Sequence, residues 1–176
     1  MKLHKQLFEF YINSSIHVAL AVVSLCLVSF LHYDLPADKN LLIFVFFGTI
    51  SGYNFVKYAG IAKLHHSSLA KGLKLIQIFS LFSFLILTWS AFKLSAEILT
   101  WTGVFGIFTL LYALPVFSKK RNLRTISGVK IFIIAFVWAG VTVVLPVVSA
   151  QKLLDFNVAL DFVQRFFLVL ALILPF

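Results

Sequence analysis

Acidic residues are scarce. Asp and Glu together number six in 176 residues, and all charged side chains make up only 12% of the chain. A soluble domain carries about twice that share. So few ionisable groups cannot cover a water-facing surface of this size, which excludes an ordinary soluble globule. Cysteine occurs once, as Cys26 within an apolar run, so no intrachain disulfide can form. A buried structural thiol is the better reading of it than a reactive one. No Walker loop, GxSxG, HExxH or CxxC pattern is present, which removes the common motif-borne chemistries. No stretch alternates apolar and polar residues long enough for a membrane β-barrel. Internal repeats and low-complexity tracts are missing as well.

What is abundant is apolar surface: 61% of residues are hydrophobic, and the mean hydropathy is +1.03. A spanning helix needs roughly 20 mostly apolar residues. Apolar stretches run near 11–32, 40–58, 73–92, 97–117, 129–149 and 157–176. Their interruptions are turn-like: HYDLPADKN around Pro36, a long basic segment from Lys57 to Lys74, a tight turn at Lys93–Glu97, SKKRNLRTISG and SAQKLLDFN. Asp155 or Asn157 offers a cap for the last helix. Lys2 and Lys5 precede the first run in the manner of a signal peptide, but that run is long enough to span and no small-residue cleavage site follows it, so it reads as a retained helix. The expected architecture is a single all-α domain over 1–176, a polytopic transmembrane helical bundle of about six helices.

The formal net charge of +9 invites a nucleic-acid reading, but the basic residues sit between the apolar runs, where they report topology. Eleven of the fifteen Lys and Arg fall on the N-terminal segment and the second and fourth connections, against three (Lys39, Lys93, Lys152) on the others. Asp34, Asp38, Glu97 and Asp155 lie with the three. This asymmetry predicts cytoplasmic termini and two long cytoplasmic loops, as in a bacterial inner membrane protein without a nucleic-acid partner.

Polar residues of distinctive kind gather at the cytoplasmic helix ends. Ser51, Asn54 and Tyr58 are spaced three and four apart, so they share a helix face, with Lys57 beside it. The fourth helix ends in LLYALPVFSKKR, carrying Tyr112, Pro115, Lys119, Lys120 and Arg121. One reading makes these two helix ends flank a basic pocket for an anionic head group. The plainer reading assigns Tyr to an interfacial aromatic belt and Lys and Arg to the positive-inside bias, and composition favours it.

The same residues resemble the intramembrane aromatic prenyltransferases of the UbiA superfamily. Members open their first aspartate motif, Asn-Asp-x-x-Asp, at the cytoplasmic end of the second helix, and Asn54 in GYNFVKY takes the Asn place. LYALP and KKR match a Tyr, a Pro and a basic pair after the fourth helix, and Gly128 and Trp138–Gly140 fall in fitting places on the fifth. The resemblance follows helix order along the whole chain. It implies transfer of a prenyl group from a polyprenyl diphosphate to an acceptor ring, with Mg²⁺ as the family cofactor. It also implies that Asn54, Lys57, Tyr112, Lys119, Lys120 and Arg121 hold the diphosphate. Phe55 and Tyr58 stand where the motif has aspartates, and the second motif is expected where the chain reaches Leu174-Pro175-Phe176. Members have about nine helices, so the chain reads as a divergent, partial member with no catalytic residue that can be named. No cofactor is evident in the chain itself, because Mg²⁺ requires hard oxygen ligands that the altered motif no longer supplies.

Other candidates are weaker. Asp161 and Arg165, four apart in the last helix, can pair, and intramembrane charges are functional suspects; a structural pair near the interface is the competing reading. Adjacent His65 and His66 do not share a helix face, so a metal site there is not expected. Gly48 with Gly52, and Gly103 with Gly106, suit close helix packing. The leading expectation is a UbiA-like homologue that binds a polyprenyl diphosphate without turning it over. The alternative is a non-catalytic lipid-binding or assembly protein with membrane lipid as its partner. A transporter ranks last, since Pro115 and Pro146 lie near helix ends and no acid sits near the midplane.

Overall fold

The computed structural model describes residues 2–58, 70–113 and 128–174, with the side chains of residues 2, 3, 70–73, 112, 113 and 130 outside that description. Among the described residues every regular element is helical. The order is α1 (Lys2–Asn13), α2 (Ile16–His32), α3 (Lys39–Tyr58), α4 (Ala70–Ala91), α5 (Ala96–Ala113) and α6 (Val129–Ala139). A π turn (Gly140–Val144), α7 (Leu145–Ser149) and α8 (Phe156–Ile173) follow. Lys39–Tyr58, Lys74–Ala91, Ile131–Ser149 and Phe156–Ile173 are each long and apolar enough to cross a membrane. A fifth candidate is the pair His4–Asn13 and Ile16–His32, bent by 60° at its break, and Ala96–Leu111 is apolar but shorter. These helices fit an integral membrane protein.

The side chains point the way lipid requires. On α4, Ser83 and Ser90 are almost wholly buried, whereas Ile78, Leu81, Phe82, Leu85 and Trp89 are more than half exposed. Water would penalise that arrangement heavily. In hydrocarbon the large apolar groups face lipid at no penalty, and small residues allow backbones to approach. The buried hydroxyls donate to carbonyls of their own helix, Ser83 to Phe79 at 2.8 Å and Ser90 to Leu87 at 2.9 Å.

By its contacts the chain gathers into two compact units, Met1–Ser24 with Leu42–Lys93, and Leu25–Leu41 with Leu94–Phe176. The first unit brings together α1, the first half of α2, α3 and α4. Phe10 of α1 meets Phe79 of α4 edge-on at 5.4 Å. The second unit packs α5, the α6–π–α7 rod and α8 around Val143, Val147 and Val158, with Tyr33 against them. An aromatic ladder runs through it, Trp101 to Phe105 to Phe136 to Phe162, at centroid separations of 6.2, 6.1 and 5.4 Å.

Two elements differ from simple helices read off the apolar runs. The first run, expected as one helix over 11–32, is divided at Ser14–Ser15, where Ser15 takes a φ of 64°. Left-handed backbone at a non-glycine residue is strained, about 1–3 kcal/mol, and persists only where neighbours over-determine it. The 129–149 run contains a π turn. Pro146 has no N–H, so neither the i+4 donor for the Thr142 carbonyl nor the i+5 donor for Val141 exists. The helices α2 and α7 end alike: Asp34 and Gln151 adopt positive φ, and Leu35 and Lys152 donate back to Phe30 and Val147 at 2.8 and 3.1 Å.

Candidate functional site

In the first unit the polar face read from the sequence closes on the helix break. Ser15 donates its hydroxyl proton to Asn54 Oδ1 at 2.9 Å, and Asn54 Nδ2 donates to Ser80 Oγ at 2.8 Å. Ser80 in turn donates to the Ile76 carbonyl at 2.7 Å. Asn54 is only 2% exposed. One carboxamide therefore joins α2, α3 and α4 and holds Ser15 in its unusual conformation. One turn on, Tyr58 Oη and Lys57 Nζ donate to the Asn13 carbonyl at 2.8 and 3.4 Å. That carbonyl is an orphan at the C-terminus of α1, and it needs an outside donor. Three residues singled out at the end of α3 thus act together on the α1–α2 elbow.

Beside this clamp runs a groove of about 330 Å³ between α3 and α4. Ser51, Asn54, Tyr58, Gln77 and Ser80 supply its polar atoms, and Phe55, Leu81 and Phe84 its apolar wall. Thr49 and Ser80 send their hydroxyls to the carbonyl four residues back. Ser51 does not: its Oγ is buried without a hydrogen-bond partner among the described residues. A buried hydroxyl left in that condition costs about 1–3 kcal/mol.

The Mg²⁺ implied by the family resemblance does not fit this donor set. No carboxylate lines the groove. The only carboxylate in the sequence of the whole first unit is Glu9, which faces Lys5 at 4.0 Å on the exposed side of α1. Hydroxyls and neutral amides make poor sole ligands for a cation of such high hydration energy. Among the described residues no group of three His, Cys, Asp or Glu side chains converges. Lys119, Lys120 and Arg121 lie outside the described residues. Tyr112 is described only as part of the α5 backbone.

The second unit holds a polar seam that the sequence reading only partly found. Asp161 and Arg165, expected to pair, turn to other partners. Asp161 Oδ2 accepts from Tyr33 Oη at 2.5 Å and faces His32 Nε2 at 3.1 Å. Arg165 donates to the Leu25 carbonyl at 2.9 Å and to Ser29 Oγ at 3.3 Å. Ser29 then donates to the Thr142 carbonyl at 2.6 Å, the carbonyl that Pro146 leaves without a helical donor. Cys26 does the same for Val141, S to O at 3.7 Å. Pro146 four residues after Thr142 was the available signal for this repair.

Burial pushes the Tyr33 hydroxyl well above the usual phenol range, and the hydrogen bond to Asp161 adds to it, with smaller contributions from the charges of Asp161 and Asp155. The Asp155 carboxyl, which caps α8 by accepting from the Val158 N–H at 3.0 Å, is lowered chiefly by that bond. Lys152 lies 4.7 Å over the Tyr33 ring.

Gly140 is the one glycine of the described helices in forced proximity. The Phe105 ring lies against it so closely that a Cβ would overlap the ring. At Gly48 a Cβ would come within 3.3 Å of the Leu87 side chain, tighter than an ordinary contact, while Gly52, Gly103 and Gly106 have open space where a Cβ would go. Close packing therefore belongs to Gly48 and Gly140, not to Gly52 or to the Gly103–Gly106 pair.

The geometry defines a class: a helical protein with several lipid-compatible helices, an elbow clamped by amide and hydroxyl groups, and a groove without acids beside it. No protein-family model, curated protein or solved structure matches the chain.

Proposed function

We propose that this chain is a six-helix integral membrane protein, UbiA-like in helix order, that binds a phosphorylated amphiphile in the α3–α4 groove and carries out no group transfer. The observation that carries this reading is the groove's chemistry, a Ser51 hydroxyl without a partner among the described residues and the Gln77 amide beside an apolar wall, with no carboxylate in its lining. A side-chain rotation that uncovers the buried Ser51 hydroxyl lets it take a polar atom of the head region. Phe55, Leu81 and Phe84 lie along the chain. Asn54 is removed from the set of direct ligands, because both ends of its carboxamide are engaged in the elbow.

Ionising an allylic diphosphate builds negative charge on the leaving group, and preorganised cations must meet it. Hydroxyls and amides that hold ground and transition states alike give binding without acceleration. Two sources share the ligand chemistry, a polyprenyl diphosphate and an anionic phospholipid. Purified protein in phosphatidylcholine nanodiscs, given photoreactive farnesyl diphosphate or photoreactive phosphatidylglycerol, distinguishes them. Saturable labelling within residues 51–58 and 76–84, lost in Ser51→Phe, is expected from at least one probe, and the stronger probe names the source. No saturable labelling by either would end the binding reading. Magnesium-dependent prenylation of an aromatic acceptor, above a membrane blank, would end the non-catalytic one.

A further inference from the structure

We propose that α1 is a membrane-surface helix, lying in the headgroup layer of one leaflet with Leu7 and Phe8 inserted, rather than the first part of a span continued by α2. The proposal does not depend on what the α3–α4 groove binds. Three independent observations lead to it.

The first is the pattern of α1. At 100° per residue, Lys5, Gln6, Glu9 and Asn13 fall on one narrow arc of Lys2–Asn13, and Leu7, Phe8, Phe10 and Tyr11 fall on the opposite broad one. Lys5 and Glu9 pair along the polar arc at 4.0 Å, both largely exposed. Neither α2 nor α4 has such a division. A helix carrying charge on one arc and aromatic or aliphatic groups on the other is stable at the boundary between headgroups and acyl chains.

The second is what covers the apolar arc. Phe10 packs on Phe79, and Tyr11 lies 5.8 Å from the His17 ring. Leu7 and Phe8 are 58% and 65% exposed. Leu7 lies near the middle of the apolar arc and Phe8 toward its Lys5 edge, with His4 between Tyr11 and Phe8, and the outer acyl region of a leaflet would receive the two apolar side chains.

The third is the elbow. The axis turns by 60° between His4–Asn13 and Ile16–His32. The turn is locked by Ser15 on Asn54 and by Tyr58 and Lys57 on the Asn13 carbonyl. A helix of 12 residues is about 18 Å long, too short to cross. If α2 runs along the membrane normal, a 60° turn lays α1 close to the membrane plane. Carried on in line, α1 would leave a core of about 30 Å that the 17 residues of α2 already nearly span, and would lift Leu7 and Phe8 away from the acyl chains. The occupant is thus a phospholipid leaflet, its acyl boundary matching Leu7 and Phe8 and its headgroup zone matching Lys5 and Glu9.

Spin labels at Lys5→Cys, Leu7→Cys, Phe8→Cys and Glu9→Cys, in liposomes, test this. Cys26 is buried, and the unmodified protein sets the background for labelling. Oxygen should reach positions 7 and 8 with a depth about 5–10 Å below the phosphates, and a water-soluble nickel complex should reach 5 and 9. Equal nickel access at all four positions would place α1 off the membrane and overturn the proposal. Depth increasing steadily toward the midplane would make α1 part of a span and overturn it. So would dipolar broadening at position 8, the sign of a second copy covering that face. Phe8→Asp gives a separate reading that tolerates poor labelling: proteolysis within residues 2–13 should accelerate at least several-fold while the remaining helices stay protected. Unchanged cleavage in F8D would also count against it.

Discussion

Asn54 looks like a ligand in the sequence and behaves as a rivet in the structure. Its carboxamide accepts from Ser15 and donates to Ser80, so each substitution removes a different half of the clamp. Asn54→Asp keeps the acceptor for Ser15 and loses the donor to Ser80. Asn54→Leu loses both and leaves the Ser15 hydroxyl without its partner. A net contribution of about 1 kcal/mol per bond, somewhat less in membranes, sets the scale. We expect Asn54→Leu to destabilise by about 1–2 kcal/mol in detergent unfolding, and Ser80→Ala by less than that. A stability unchanged by Asn54→Leu would show that the elbow stands without it. The three-and-four spacing of Ser51, Asn54 and Tyr58 made their shared face legible. Their partner was not, because Ser15 lies 39 residues away and nothing in a pair of serines announces a positive φ.

Two acid–base groups set the residue-scale pH dependence at the ends of α2 and α8. The Asp155 pKa is held below its ordinary 3.8 in the folded state by the Val158 N–H. Its contribution is therefore full above 3.8 and is lost as pH falls below that, through the lower folded-state value. Tyr33 is raised above its ordinary 10.0, so its contribution is full below pH 10 and is lost as pH rises beyond it. Thermal unfolding from pH 3 to 11 should show a plateau with losses at both edges. Asp155→Ala should flatten the acid edge alone, and Tyr33→Phe the alkaline edge alone. If Asp155→Ala leaves the acid edge as steep as before, the cap is not its source.

At the scale of elements, the fifth apolar run shows how one proline distributes its consequences. Pro146 orphans the Thr142 carbonyl, the π turn accommodates the gap, and Ser29 on α2 supplies the missing proton while Arg165 donates to Ser29. Ser29→Ala should destabilise by about 1 kcal/mol by leaving that carbonyl unmet. In a Pro146→Ala background a backbone N–H returns at position 146, and the same substitution should matter less. A double-mutant cycle should give a coupling of at least about 0.5 kcal/mol, and a coupling near zero would separate the proline from the serine. Gly140→Ala should destabilise by about 1–3 kcal/mol through overlap with the Phe105 ring, with partial recovery in Phe105→Leu.

At the scale of the whole molecule, the topology proposed from the basic asymmetry can be checked by labelling. With six spans and both ends cytoplasmic, cysteines at Ala37 and Gln151 should react from the outside and those at Lys63 and Ser118 only after permeabilisation. Outside labelling at Lys63 or Ser118 would invert or break that arrangement.

Composition alone determined that the chain is helical and lipid-compatible. Apolar runs without charges leave a backbone that must satisfy itself, and only helices do so locally over runs of this length. The runs also located α3, α4 and α8 to within a few residues, since a helix in lipid ends where polar residues and turns begin. Tertiary structure decided the rest. It split the first run at Ser15, sent Asp161 and Arg165 to separate partners on α2 and at its end, and buried Asn54 as a bridge between Ser15 and Ser80. Each of these depends on which donor lies nearest an unmet acceptor across tens of residues of sequence, and hydrogen-bond pairing at that range is fixed by packing rather than by local pattern.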